Sequence, residues 1–112
     1  MSNSEIPTLY SCENDLLEKV RTQMEKEIEM SGDYLLFRGH SADVLVQELA
    51  TFIQGINSSS NIQNLLYRVD VNTKKISTDL PYHVSISKAL WDRVFQKVWF
   101  RIQFSSNKKL SD

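Results

Sequence analysis

Residues 87–104, SKALWDRVFQKVWFRIQF, carry the longest apolar periodicity in the chain and hold both tryptophans and three of the five phenylalanines. At about 100° per residue, most of their apolar side chains fill one half of a helical cylinder. That half holds Leu90, Trp91, Val94, Phe95, Val98, Trp99 and Ile102. The pattern predicts an amphipathic helix against which the other elements bury their apolar faces.

A strand is the alternative for the second part of this stretch. Beyond Lys97, two sets of side chains alternate, namely Val98, Phe100, Ile102 and Phe104 with Trp99, Arg101 and Gln103. A period of two with aromatic and β-branched residues is typical of a strand. We predict one helix throughout, and a switch to a strand near Lys97 stays open as the second interpretation.

Composition indicates one soluble domain spanning residues 1–112, with flexible tails expected at 1–10 and 105–112. Three glycines and two prolines in 112 residues favour a helix-rich fold over one built from tight turns. The single cysteine, Cys12, offers no intramolecular disulfide, and the N-terminal residues lack the pattern of a secretory signal. We therefore expect a cytoplasmic protein.

Charge is distributed unevenly along the chain. Residues 1–50 carry ten acidic and four basic side chains, a net charge of −6, whereas residues 51–112 carry four acidic and nine basic ones, a net charge of +5. The two halves are expected to meet within the domain or to support self-association; ordinary solvated faces are the simpler interpretation.

Two further helices are predicted from apolar side chains at steps of three and four residues. The first covers residues 11–30, with Ser11 as its N-cap, and the second covers residues 41–57, with Ser41 as its N-cap. The polar residues 57–64 between the second helix and the next element are predicted as a loop.

Three strands are predicted between these helices. Residues 33–38 contain an apolar run without helical period, residues 65–71 alternate cleanly, and residues 75–78 are interpreted as a short return strand. A weaker alternation covers residues 82–86. The resulting fold class is α+β, with three main helices on a two- or three-stranded sheet in the order α-β-α-β-(β)-α.

No catalytic or metal-binding motif stands out. His40 and His83 lack ligand-like neighbours, and the acidic residues beside Cys12 disfavour a reactive thiolate. No cofactor is expected, and the lack of a catalytic motif favours a non-enzymatic protein. One alternative remains, an anion or nucleotide site at a strand-to-helix junction formed by Arg38, His40 and Ser41.

The preferred functional hypothesis is protein–protein interaction, including self-association, through the outer side of the last helix. Arg93, Lys97, Phe100 and Phe104 lie on its polar side, where aromatic and arginine side chains suit an interface with an acidic surface such as that of residues 11–30. A second alternative is nucleic-acid binding. It would use the basic residues Lys88, Arg93, Lys97, Arg101, Lys108 and Lys109.

Overall fold

The computed structural model describes residues 14–56, 59–76 and 78–110, and in these ranges the chain forms four α-helices and one 3-10 turn. The helices are α1 (Asn14–Met30), α2 (Ala42–Gln54), α3 (Ser59–Val69) and α4 (Tyr82–Leu110), with the 3-10 turn at Thr73–Lys75. None of the described residues forms a strand. The prediction of an α+β fold is therefore wrong, and the architecture is a helical bundle.

Helix α4 is the element around which the bundle is built. Its 29 residues span about 43 Å at 1.5 Å per residue, close to the 48 Å long axis of the molecule. The helix predicted over residues 87–104 is confirmed, and the strand beyond Lys97 is excluded. Helix α4 begins directly after Pro81, so the weak strand predicted over residues 82–86 is also wrong, because these residues form its first turns.

The inward side of α4 contacts the three other helices. Trp91 is fully buried and meets the ring of Phe37 edge-on, with ring centroids 6.3 Å apart and an angle of 85° between the planes. Among the described residues, the buried apolar side chains form one contiguous core, to which α1 contributes Leu17, Val20, Met24 and Ile28. No helix within these ranges has the length and apolar character that a membrane span requires.

The strand predicted over residues 65–71 is wrong, because residues 70 and 71 lie beyond the end of α3 and residues 65–69 are the second half of that helix. Its buried side chains, Ile62, Leu65, Leu66 and Val69, follow helical spacing, whereas Tyr67 is 88% exposed. The loop predicted over residues 57–64 is likewise wrong from Ser59 onward, because α3 starts there. Leu65 and Val69 lie on the apolar side in both interpretations, so the pattern of this short segment did not separate a helix from a strand.

Residues 33–39 form neither a helix nor a strand. Exposed Tyr34 and Leu36 alternate with partly buried Leu35 and buried Phe37, as in a strand. The main chain of Phe37 is paired with side chains of α1. Arg21 donates to its carbonyl oxygen at 2.7 Å, and its N–H donates to Glu25 at 2.9 Å. The predicted strand 33–38 is wrong because side chains replace the strand partner.

The predicted ends of the other elements differ from the observed ends by smaller amounts. The helices predicted at residues 11–30 and 41–57 correspond to α1 and α2, and α2 ends at Gln54. The return strand predicted over residues 75–78 is wrong at Lys75, which ends the 3-10 turn, and residue 77 lies outside the described residues. Residues 105–110, predicted as part of a tail, continue α4. Ser11, Cys12 and residues 1–10 lie outside the described residues.

Candidate protein-interaction surface

The outer side of α4 presents a basic and aromatic face. Lys97, Phe100, Arg101 and Phe104 fall within about 100° of the helix circumference, and we call them the distal face of α4. Phe100 is 53% exposed and Phe104 is 70% exposed, although α4 buries Val94, Phe95 and Val98 on its other side. The distal face therefore leaves two phenylalanine rings more than half exposed on a helix whose opposite side lies in the core.

Arg93 lies on the same side of α4 but has an internal role. Its guanidinium donates to the main-chain carbonyl oxygen of Asp70 and to the Asp70 carboxylate, each at 3.2 Å, and to the side chain of Gln96 at 3.3 Å. Asp70 follows the last residue of α3. Of the four residues predicted for protein interaction, Arg93 is thus the one that the structure ties to the fold.

Arg101, rather than Arg93, is the arginine that the distal face offers to a partner. It is exposed and donates to the side-chain oxygen of Gln23 on α1 at 3.5 Å, a long and weak hydrogen bond. Neither Arg101 nor Lys97 has a carboxylate partner among the described residues. The sequence showed Arg101 one turn after Lys97, but only as part of the possible nucleic-acid surface.

Helix α1 is less acidic at its surface than its sequence suggests. Glu25 accepts a hydrogen bond from the main chain of Phe37, and Glu27 pairs with Arg68 of α3 at 3.1 Å. The exposed charged residues of α1 are Asp15, Glu18, Glu29, Lys19 and Lys26. In the described ranges, Arg68–Glu27 is the one ion pair that joins the acidic and basic halves of the chain. Folding therefore neutralises little of the charge on α4.

The junction of Arg38, His40 and Ser41 does lie at a helix N-terminus. The prediction that Ser41 is the N-cap of α2 is confirmed, since its hydroxyl oxygen accepts from the N–H of Val44 at 3.3 Å. The side chain of His40 is exposed. The sequence thus correctly predicted that these three residues directly precede a helix, which is α2.

The main-chain donors of this junction already bind a carboxylate. The N–H groups of Arg38 and Gly39 donate to the two carboxylate oxygens of Glu48, each at 2.7 Å. A Cβ on Gly39 would overlap the side chain of Val44 and lie 2.6 Å from Glu48, so the close approach requires glycine. Anion binding at this junction stays a prediction, and Glu48 occupies the donors that it would need.

Comparison of the chain with models of known protein families, with curated proteins and with solved structures gave no match. The chemistry of the surface therefore has to be judged from its own residues. In the ranges that the structure describes, no three side chains of His, Cys, Asp or Glu are grouped so that they could hold a metal ion.

One polar cavity lies where α3 meets α4. It has a volume of about 610 Å³ and is lined by Asp70, Asn72, Asp92, Arg93 and Gln96 among others. Loss of solvation raises the pKa of the Asp92 carboxyl above its ordinary value, although much of the residue remains open to solvent. The lining offers two carboxylates, two side-chain amides and the guanidinium of Arg93.

Proposed function

We propose that this chain is a small non-catalytic domain that binds another protein through the distal face of α4. The observation that carries the proposal is the exposure of Phe100 and Phe104, at 53% and 70%, beside Lys97 and Arg101, two cations without carboxylate partners in the described residues. Burying the exposed part of one such ring against a partner is worth about 1–2 kcal/mol, a fraction of the value for a fully exposed side chain. Two rings with neighbouring Lys97 and Arg101 therefore suit the centre of an interface.

The partner surface should be acidic and partly apolar. Helix α4 carries six basic residues and one acidic residue in its sequence, so an acidic partner gains attraction and a basic one is repelled. A second copy of the chain meets this requirement only weakly, because the exposed charges of α1 are mixed. Self-association is therefore expected to be weak and to decrease with salt. Cytoplasmic residence belongs to the same proposal, since Cys12 is the only cysteine.

Self-association is tested by light scattering after size-exclusion chromatography, over a range of protein and salt concentrations. The informative variant is Phe100→Ser combined with Phe104→Ser, and the matched control is Tyr67→Ser, which removes an exposed ring from α3. A concentration-dependent dimer that only the double variant abolishes supports self-association. A strict monomer excludes it and leaves binding to a different protein.

Binding to a different protein is tested by replacing Phe104 with a photo-crosslinking residue in cells, with the same replacement at Tyr67 as the control. The proposal expects a discrete crosslinked partner at position 104 alone, and its loss when Lys97→Glu and Arg101→Glu are added. Crosslinks to nucleic acid, or equal products at both positions, would contradict it. If the double phenylalanine variant unfolds at lower urea concentration, the rings belong to the core and the proposal fails.

A further inference from the structure

Helix α3 covers only the first part of one side of α4. Ile86, near the start of α4, lines one cavity together with Gln63 and Leu66 of α3. Two turns further along α4, the guanidinium of Arg93 binds Asp70, which directly follows the end of α3. The two helices therefore run parallel, and α3 ends at the level of Arg93.

Phe100 and Phe104 lie on this same side of α4, beyond the end of α3. A separation of 18 residues equals five full turns at about 100° per residue, so Phe100 is in line with Tyr82 and Phe104 is in line with Ile86. Ile86 is 1% exposed, whereas Phe104 is 70% exposed. The side of α4 that α3 covers thus continues beyond Arg93 with apolar side chains that α3 does not reach.

Helix α1 runs antiparallel to α3. Arg68, near the end of α3, pairs with Glu27 of α1 at 3.1 Å. Asn61, near the start of α3, donates to the carboxylate of Asp33, which follows the end of α1, at 2.9 Å. The part of α1 that precedes Glu27 therefore lies beyond the end of α3. It is about 20 Å long at 1.5 Å per residue.

This part of α1 borders the uncovered side of α4. Arg101 of α4 donates to the side-chain oxygen of Gln23 at 3.5 Å. Helical spacing places Leu16, Lys19 and Gln23 on the side of α1 that carries Glu27. Leu16 is partly buried against the core, and Lys19 is exposed. We call Lys19 and Gln23, together with the distal face of α4, the α1–α4 surface.

The form of the α1–α4 surface suits a helix. Upstream, the same sides of α1 and α4 already pack against one helix, namely α3. The length of about 20 Å corresponds to about 13 helical residues. A strand is a poorer match, because the sides of α1 and α4 offer no free main-chain groups with which it could pair. A helix satisfies its own main-chain groups and presents only side chains.

The charge of the α1–α4 surface selects an acidic ligand. Lys19 of α1 and Lys97 and Arg101 of α4 contribute three positive charges, and none of the three has an ion pair among the described residues. The carboxylate of Glu27, at the end nearest α3, is already paired with Arg68. Carboxylates on the flanks of a bound helix would therefore find free cations on both α1 and α4.

We propose that the α1–α4 surface binds an amphipathic helix of a different protein, which lies in line with α3 and carries acidic residues beside an apolar stripe. The stripe, with apolar residues at steps of three and four, packs against Phe100 and Phe104. This inference rests on the proposed function, because it uses the same two rings. It adds α1 to the binding surface and specifies that the bound segment is a helix.

Crosslinking from α1 tests the geometry. A photo-crosslinking residue replaces Lys19, Phe104 or, as the control, Glu18, which is exposed on the other side of α1. The same partner should be crosslinked from positions 19 and 104 but not from 18, and the crosslinked partner residues should be spaced by three, four or seven. A partner found at 104 and absent at 19 would overturn this inference and leave the proposed function intact.

The remaining outcomes of this experiment are equally decisive. Without a partner at either position, both the inference and the proposed function fail. Crosslinks to residues 1–13 of the same chain, or to a second copy, would overturn the inference, because the occupant would not be a different protein. Crosslinked partner residues from several separate segments would also overturn it, since one helix could not supply them.

A synthetic peptide with the sequence of the crosslinked segment tests the helix directly. Its circular dichroism should show a gain of helix when the purified chain is added, and its affinity should fall about tenfold with Lys19→Glu. Lys88→Glu is the matched control, because Lys88 is exposed on another side of α4, and it should leave the affinity unchanged. Binding without a gain of helix, or equal binding to the Lys19→Glu variant, would refute the proposal.

Discussion

The guanidinium of Arg93 binds both the main-chain carbonyl oxygen and the carboxylate of Asp70, each at 3.2 Å. Asp70 has a φ of 67°, a left-handed conformation that aspartate tolerates better than most residues. Its N–H and that of Val71 close the end of α3 through the carbonyl oxygens of Tyr67 and Leu66. A cation from α4 thus completes the C-terminus of α3, where the helix dipole favours positive charge.

Arg93→Met should lower the free energy of unfolding by about 1 kcal/mol, since it removes a partly exposed charged contact while keeping the apolar stem. Lys88→Met is the control, because Lys88 is exposed on the same helix and has no ion pair among the described residues. Urea unfolding of the three proteins measures the difference. Equal stability of both variants would show that the contact to Asp70 contributes nothing.

Glu48→Ala should destabilise the protein by about 1–3 kcal/mol, because two main-chain N–H groups lose their acceptor. It should also expose an anion site. Added phosphate is therefore expected to raise the urea midpoint of the variant more than that of wild type. Gln47→Ala, at the neighbouring exposed position, serves as the control. Equal stabilisation of all three proteins by phosphate would show that Glu48 does not occupy the site.

Gly39→Ala should destabilise the protein by about 1–3 kcal/mol, because a Cβ there overlaps Val44 and crowds Glu48. Gly55→Ala is the matched control. Its nearest atoms would lie at 3.6 Å and 3.7 Å, and its φ of −86° is open to alanine, so no loss is expected. Thermal unfolding compares the two variants. The close packing of residue 39 on α2 would be disproved by similar melting temperatures.

Asp92→Asn should stabilise the protein at neutral pH, since loss of solvation raises the pKa of the Asp92 carboxyl. A raised pKa in the fold means that the ionised form is less favoured there than in the unfolded chain. The contribution of Asp92 to stability is therefore lost as pH rises from 3.8 through the raised folded value. Urea unfolding across this range should show the two proteins converging in acid. A constant difference at every pH would argue against the raised pKa.

Local patterns in the sequence were sufficient to predict several of the helices and one helix cap. The apolar stripe of residues 87–104 predicted the central helix, and the hydroxyl of Ser41 before an apolar period predicted the start of α2. The same helical period predicted that Phe100 and Phe104 lie on the polar side of this helix, and both are exposed. These predictions succeeded because helical period and capping depend on residues within a few positions of one another.

The sheet was predicted wrongly because strand pairing is decided by distant partners. Residues 33–38 do alternate in burial, but Arg21, Glu25 and Glu48 take their hydrogen bonds instead of a second strand. In the segment at 65–71, Leu65 and Val69 suit the buried side of a strand as well as that of a helix. The preceding residues from Ser59, which were interpreted as a loop, extend it into α3.

The sequence by itself determined the helical faces, the exposed phenylalanines and the uneven charge, since each of these follows from residue type and spacing along one segment. Only the tertiary structure decided that Arg93 belongs to the end of α3, that Glu48 fills the junction before α2, and that α1 turns part of its acidic charge inward. Those outcomes depend on contacts between residues far apart in the chain, and no local period encodes them.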